Sequence, residues 1–134
     1  MNSKIIYICV FLGFLSGCTD TTIEGITPQF KATTATSSFT TLNTCTNSGT
    51  TFNVKIDFQG FKSVSSVSYY YEFSSGSSGT VSSASFTNSS NFITVSHCVR
   101  FSTSTSITYD YTITNVDGKV TTISKTINKP SGAN

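Results

Sequence analysis

The sequence is poor in charge. Only 10% of its 134 residues are Asp, Glu, Lys or Arg, against about 25% in an ordinary soluble domain. Serine and threonine take their place and make up roughly a third of the chain, while the basic residues are scattered and never form a run. Because a nucleic-acid-binding protein normally presents a clustered basic surface, the composition argues against a nucleic-acid partner.

Residues that usually carry catalysis or bind metals are also scarce. His97 is the only histidine, no Gly-x-Ser-x-Gly sequence is present, and the acidic residues are dispersed. Acid–base and nucleophilic catalysis need a positioned base beside the reacting group, and no Cys or His spacing is typical of a metal site. We therefore predict a protein that is not an enzyme and has no catalytic residues, metal or cofactor. His97 is then a structural residue of a strand.

Residues 1–17 have the layout of a secretory signal peptide. Lys4 provides the positive start, an apolar run reaches Leu15, and two small residues then precede Cys18. The apolar run is too short to span a membrane as a helix, which takes about 20 residues. We therefore expect this segment to direct export and then to be removed.

The end of this segment and the residue after it, Leu15-Ser16-Gly17-Cys18, resemble the lipobox of bacterial lipoproteins. That resemblance implies that Cys18 receives a diacylglycerol and, after removal of residues 1–17, becomes the acylated N-terminus. More than one acyl chain anchors a protein firmly to a membrane, and residues 18–28 would form the lipidated start and a polar tether. The implied location is the bacterial cell envelope, at the outer membrane or cell surface in preference to the inner membrane. The alternative is a conventional cleavage site beside an ordinary Cys18 thiol.

Two of the four cysteines remain for the folded domain. Cys9 lies in the leader and Cys18 is assigned to the lipid, which leaves Cys45 and Cys98. Because an exported chain reaches an oxidising compartment, we predict a disulfide between them, with two free thiols as the alternative. Cys98 has the opposite parity to the apolar residues of its strand, so the bridge should lie at the periphery. It would not be the inter-sheet bridge of antibody domains.

Beyond Pro28 the sequence is typical of β structure, with apolar and polar residues alternating in short segments and no helical period. A Thr-rich segment from Gln29 to Leu42 predicts one broken strand or two short ones, and Thr80–Phe86 predicts a weak edge strand. Asp117-Gly118 predicts a type I′ hairpin, and a change of parity after Val120 predicts a bulge. The clearest alternating segments are Phe52–Phe58, Val67–Phe73, Ile93–Phe101 and Ile107–Ile113.

These short strands with turn residues between them predict an all-β protein. We expect a single immunoglobulin-like antiparallel β-sandwich of about seven strands over residues 29–130, followed by a tail at 131–134.

Part of this domain resembles a known family. Tyr109–Gly118 and the Thr-rich strand after it resemble the final hairpin of PKD (polycystic-kidney-disease) and related immunoglobulin-like domains, with the pattern Y-x-V-x-L-x-V-x-D-x-x-G. Upstream, the sequence YYYEFSSGSSGT is similar to their Y-x-W-D-F-G-D-G, although Tyr71 stands in place of Trp and two serines replace Gly-Asp. The resemblance covers residues 64–127 and implies a fold rather than a function. Fibronectin-type and other bacterial immunoglobulin-like domains remain alternatives.

Three consecutive tyrosines provide the candidate site. On a strand, Tyr69 and Tyr71 face one side and Tyr70 faces the other. The simpler interpretation, which we favour, is that the pair fills the core and Tyr70 is merely exposed. The functional interpretation is that Tyr70 and the loop residues Ser74, Ser75 and Gly76 form a binding surface, since tyrosine is enriched in recognition patches.

The sequence as a whole predicts a membrane-anchored bacterial lipoprotein that acts as a non-enzymatic binding or structural module of the cell envelope. Its partners would be the membrane, through the lipid, and an unknown protein or glycan. The alternative is a small inhibitor, immunity or phage-exclusion lipoprotein that blocks one specific protein. An envelope hydrolase is the third possibility.

Overall fold

The computed structural model describes residues 29–134. The predicted signal peptide, Cys18 and the tether up to residue 28 lie outside the described residues. Within 29–134 the regular structure is eight β-strands and one short 3₁₀ turn, and no helix there is long and apolar enough to cross a membrane. The strands are β1 (Lys31–Cys45), β2 (Gly49–Gln59), β3 (Val64–Phe73), β4 (Ser78–Val81), β5 (Phe86–Asn88), β6 (Phe92–Val99), β7 (Ser106–Asn115) and β8 (Val120–Asn128).

The strands form two antiparallel sheets, with the orders β1-β2-β6-β5 and β4-β3-β7-β8. If the strands are lettered in the usual way, this is the ABED sheet and the CFG sheet of an immunoglobulin-like sandwich, with one further strand beside C. The predicted fold is therefore confirmed, with eight strands where about seven were expected. The difference arises at Thr80–Phe86, where the predicted single edge strand is wrong. The chain there leaves β4 on the edge of one sheet and enters β5 on the edge of the other.

The core lies between the two sheets and is built from the alternating residues that face inward. Phe52, Ile56, Ile93, Tyr109 and Ile113 are all almost fully buried there. Burial of each such side chain stabilises the fold by roughly 1.5–3 kcal/mol relative to exposure. The strict alternation of β2 and β7 is thus the signature of strands that have one face in the core and the other outside.

Strand β1 is continuous but irregular. It pairs antiparallel with β2 from Lys31 opposite Gln59 to Cys45 opposite Gly49, with register shifts at three places. The choice between one broken strand and two short ones is settled in favour of one strand.

The predicted disulfide between Cys45 and Cys98 is present, with the Cα atoms 5.9 Å apart. It joins the end of β1 to β6 within one sheet, so it is not an inter-sheet core bridge. Gly49, at the start of β2, lies directly against it, because a Cβ atom there would come within 3.0 Å of both sulfur atoms. The bridge therefore packs directly against Gly49, the first residue of β2.

The hairpin between β7 and β8 corrects two expectations. Only Gly118 has a positive φ, of 77°, and its N–H donates to the carbonyl oxygen of Asn115. A type I′ turn needs two residues with positive φ, so that prediction is wrong, and the chain forms a type I turn followed by a left-handed glycine. The Asn115 side chain stabilises it by accepting hydrogen bonds from the N–H groups of Asp117 and Lys119.

The bulge predicted after Val120 is also wrong. Strands β7 and β8 pair without any register shift from Ser106 opposite Asn128 to Thr114 opposite Val120. Val120 has the opposite parity to Ile123 and Ile127 simply because it faces solvent, with 58% of its surface exposed.

Candidate binding face

The surface that carries Tyr70 is the solvent-facing side of the β4-β3-β7-β8 sheet. Because side chains alternate along a strand, the even-numbered residues of β3 (66–72), β7 (108–114) and β8 (120–126), with Ser78 and Thr80 of β4, point to this side. All are exposed or half-buried, and we call this surface the outer face. Apart from Tyr70, Val120 and two acids, it consists of serine and threonine.

Tyr70 lies in the middle of the outer face, as predicted from its parity. It is 39% exposed, whereas Tyr69 is 4% exposed and packs in the core. Across the strands, Tyr70 stands opposite Thr80 on one side and Asp110 on the other. Residues directly opposite in an antiparallel pair have Cβ atoms about 4.5–5.5 Å apart, so Tyr70 and Asp110 project from adjacent positions on the outer face.

Both carboxylates of the outer face flank Tyr70. Asp110 accepts a hydrogen bond from the hydroxyl of Ser124, its partner on β8. Glu72 follows Tyr70 on the same side of β3 and stands opposite Thr108. The outer face therefore places an exposed aromatic ring beside two acids.

The charged side chains of the outer face are all acidic and none is basic. Neither Lys nor Arg is among its residues. Within residues 29–134, the ion pairs are Lys55–Asp57 and Lys62–Asp117, and neither includes a residue of this face. Glu72 and Asp110 thus have no basic side chain within 4 Å in that part of the chain.

The loop residues of the predicted surface are held by hydrogen bonds inside the domain. The Ser74 hydroxyl accepts from the backbone N–H groups of Thr105 and Ser106, and the Ser75 hydroxyl lies 2.7 Å from that of the buried Ser104. Gly76 turns the chain with a φ of 89°. These two serines therefore connect the β3–β4 turn to the β6–β7 loop through hydrogen bonds.

A shallow depression of about 350 Å³ joins the outer face to this loop. Its walls include Glu72 and Thr108 from the outer face and Ser74 and Gly76 from the loop. The structure therefore brings Tyr70 and the loop onto one continuous surface, with Glu72 between them.

His97 faces the inside of the sandwich among aromatic rings. Its Nδ1 atom lies 3.0 Å from the hydroxyl of Tyr109, and its ring centroid lies 5.3 Å from that of Tyr69 and 5.0 Å from that of Tyr71. Burial lowers the pKa of His97, and it raises the pKa of Tyr69 to about 12. Its interactions are therefore those of a packed strand residue.

This environment makes stability depend on the protonation of His97. The folded protein binds the proton less readily than the unfolded chain, whose histidine has a pKa of about 6.5. The stability that the neutral, buried His97 ring provides is therefore present above about pH 6.5 and is lost as the pH falls below that value. We expect urea unfolding to show falling stability between about pH 7.5 and pH 5.5, and His97→Phe to remove that slope.

Asp57→Asn is the matched control for this experiment. A hydrogen bond from Lys55 lowers the pKa of Asp57, so the stability that this carboxylate provides is fully present above about pH 4 and is lost only below that value. A slope that persists unchanged in His97→Phe between pH 7.5 and 5.5 would assign the effect to other groups.

No grouping of three or more His, Cys, Asp or Glu side chains that could hold a metal ion occurs within residues 29–134. A groove of about 420 Å³ opens where β1 and β8 meet, and its walls include Phe39, Phe52, Ile127 and Lys129. It reaches the outer face only at Thr126, and it has neither an acid nor a histidine among its lining residues.

Sequence reasoning identified Tyr70 but missed both acids. Glu72 could have been found, because it has the same parity as Tyr70 on one strand. Asp110 could not, because its place opposite Tyr70 depends on the pairing of β3 with β7, about 40 positions further along the chain. Comparison of the chain with protein-family models, curated proteins and solved structures finds no match.

Proposed function

We propose that the protein is a lipid-anchored bacterial lipoprotein whose immunoglobulin-like domain is a non-enzymatic binding module of the cell envelope, with the outer face as its binding site. The observation that carries the proposal is the exposed ring of Tyr70 beside two carboxylates that form no ion pair within residues 29–134. Tyrosine is enriched where proteins recognise partners, because it offers a large, rigid, amphipathic contact.

The course of the described chain is compatible with a lipid anchor ahead of the domain. The lipobox-like Leu15–Cys18 sequence supports attachment at the N-terminus, and the chain enters the domain at Lys31, the end of β1 that pairs with Gln59. A short connection leads from there to Val64, so β3 begins at the same end of the sandwich and runs away from it. At about 3.3 Å per residue, the β3–β4 turn lies roughly 30 Å from that end.

One end of the outer face therefore lies far from Lys31, where the described chain enters the first strand. Glu72 and the Ser74–Gly76 loop are at the far end of β3. A partner in the envelope could therefore reach this end of the face without passing between the domain and the membrane.

Capture of the intact lipoprotein from crosslinked cells, with bound partners identified by mass, tests the proposal. Because a tyrosine at the centre of an interface is commonly a hot spot, we expect Tyr70→Ala to reduce the recovered partner by about tenfold. The matched control is Phe39→Ala, which removes an aromatic side chain that is 52% exposed on the other sheet.

Equal recovery by wild type and Tyr70→Ala would contradict the proposed face. Purified protein that hydrolyses an envelope glycan, ester or peptide, and stops doing so in His97→Ala, would replace the binding module with a hydrolase.

A further inference from the structure

We infer that the outer face binds a basic segment of a partner protein, with the guanidinium group of an arginine over the Tyr70 ring and between the carboxylates of Asp110 and Glu72. The inference rests on the proposed function and names the class of partner for the same site. Three features of the face carry it: its spacing, its charge and its lack of apolar surface.

The spacing suits a guanidinium group. Asp110 stands directly opposite Tyr70 on β7, at a Cβ separation of about 4.5–5.5 Å. Glu72 lies two residues further along β3, about 7 Å away. A cation within roughly 6 Å of an aromatic centroid is attracted by the ring, so a guanidinium over Tyr70 has a carboxylate on two sides.

The charge of the face favours a cation. Both carboxylates lack a basic partner within residues 29–134, while the remaining acids of the domain, Asp57 and Asp117, are paired with lysines. The hydroxyl of Ser124 holds one oxygen of Asp110. This contact orients the carboxylate without neutralising it, so its charge remains available to a partner.

The lack of apolar surface argues against a hydrophobic peptide. The neighbours of Tyr70 across the strands are Thr80 and Asp110, and the only exposed aliphatic residue on the face is Val120, at its edge. Arginine fits better than lysine, because its planar group stacks on a ring and pairs with a carboxylate through two parallel hydrogen bonds.

Binding of synthetic peptides to the mature lipoprotein in phosphatidylcholine nanodiscs tests the inference. The probes are alternating Gly-Arg, Gly-Lys and Gly-Gln peptides of equal length, and chitohexaose represents a neutral glycan. We expect the Gly-Arg peptide to bind about fivefold more tightly than Gly-Lys, and the Gly-Gln peptide and chitohexaose not to bind.

The variants locate the binding. Tyr70→Ala and Asp110→Asn should each weaken Gly-Arg binding by about tenfold, whereas Tyr70→Phe, which keeps the ring, should retain most of it. Asp117→Asn is the matched control, because it removes the same charge from a carboxylate that is already paired with Lys62. Its affinity should equal that of wild type.

Three results would overturn the inference. If Asp117→Asn weakens binding as much as Asp110→Asn, the peptide senses only net charge. If no probe binds, the face does not recognise arginine. If chitohexaose binds and Tyr70→Ala abolishes it, the partner is a glycan. The last result removes the basic partner and leaves the proposed function intact, whereas capture unaffected by Tyr70→Ala removes both.

Discussion

Replacement of Cys18 with alanine is expected to abolish lipid attachment and to move the protein from the membrane fraction to a soluble or unprocessed pool. The diacylglycerol of a lipoprotein is joined to the cysteine sulfur, and alanine has no atom that can accept it. Since membrane binding increases with each buried methylene group of an acyl chain, complete loss of the chains removes the whole anchoring energy.

Metabolic labelling with a palmitate analogue, followed by membrane fractionation, measures this effect. The Cys9→Ala variant is the matched control, because it changes a cysteine in the leader that the proposed cleavage discards. Wild type and Cys9→Ala should label equally and Cys18→Ala should not label. Labelling of Cys18→Ala at the wild-type level would show that the lipid is attached elsewhere, and an unlabelled wild type would show that it is absent.

Removal of the disulfide in Cys45→Ala/Cys98→Ala is expected to lower the free energy of unfolding by about 2–5 kcal/mol. The bridge closes a loop with a sequence separation of 53, for which the chain-entropy relation gives about 4 kcal/mol. Domains of this size have a total stability of about 5–15 kcal/mol, so the loss is a large part of the whole.

Urea unfolding of the protein, with and without reductant, measures the loss. Reduced wild type should unfold near the midpoint of the double variant, and reductant should leave the variant unchanged. If oxidised wild type and the double variant share one midpoint, the bridge does not stabilise the fold. Thiols of Cys45 and Cys98 that react with a maleimide before reduction would show that it does not form.

Much of the fold could be predicted because burial leaves a period-two pattern in the sequence. The alternation of Phe52–Phe58 and Ile107–Ile113 predicts strands with one face in the core, and these segments lie in β2 and β7. The parity of Cys98 correctly predicts a bridge at the periphery. These features depend on which side of a single strand a residue faces, which spacing alone determines.

The features that could not be predicted depend on partners distant in the chain. Thr80–Phe86 divides between two sheets, because β4 pairs with β3 while β5 pairs with β6. The Asp117-Gly118 pair is compatible with more than one turn type, and the Asn115 side chain favours the type I turn by accepting two backbone hydrogen bonds. The place of Asp110 beside Tyr70 likewise follows from inter-strand register, which local spacing does not contain.

The proposed anchor at Cys18 is the central claim, because it would determine the compartment, the oxidation of the cysteines and the class of partner within reach. The most direct test is the intact mass and N-terminal peptide of the protein extracted from bacterial membranes. We predict a mature chain that begins at Cys18 and carries a diacylglycerol on its sulfur. A chain that begins at another residue, retains residues 1–17, or has an unmodified Cys18 thiol would contradict the account.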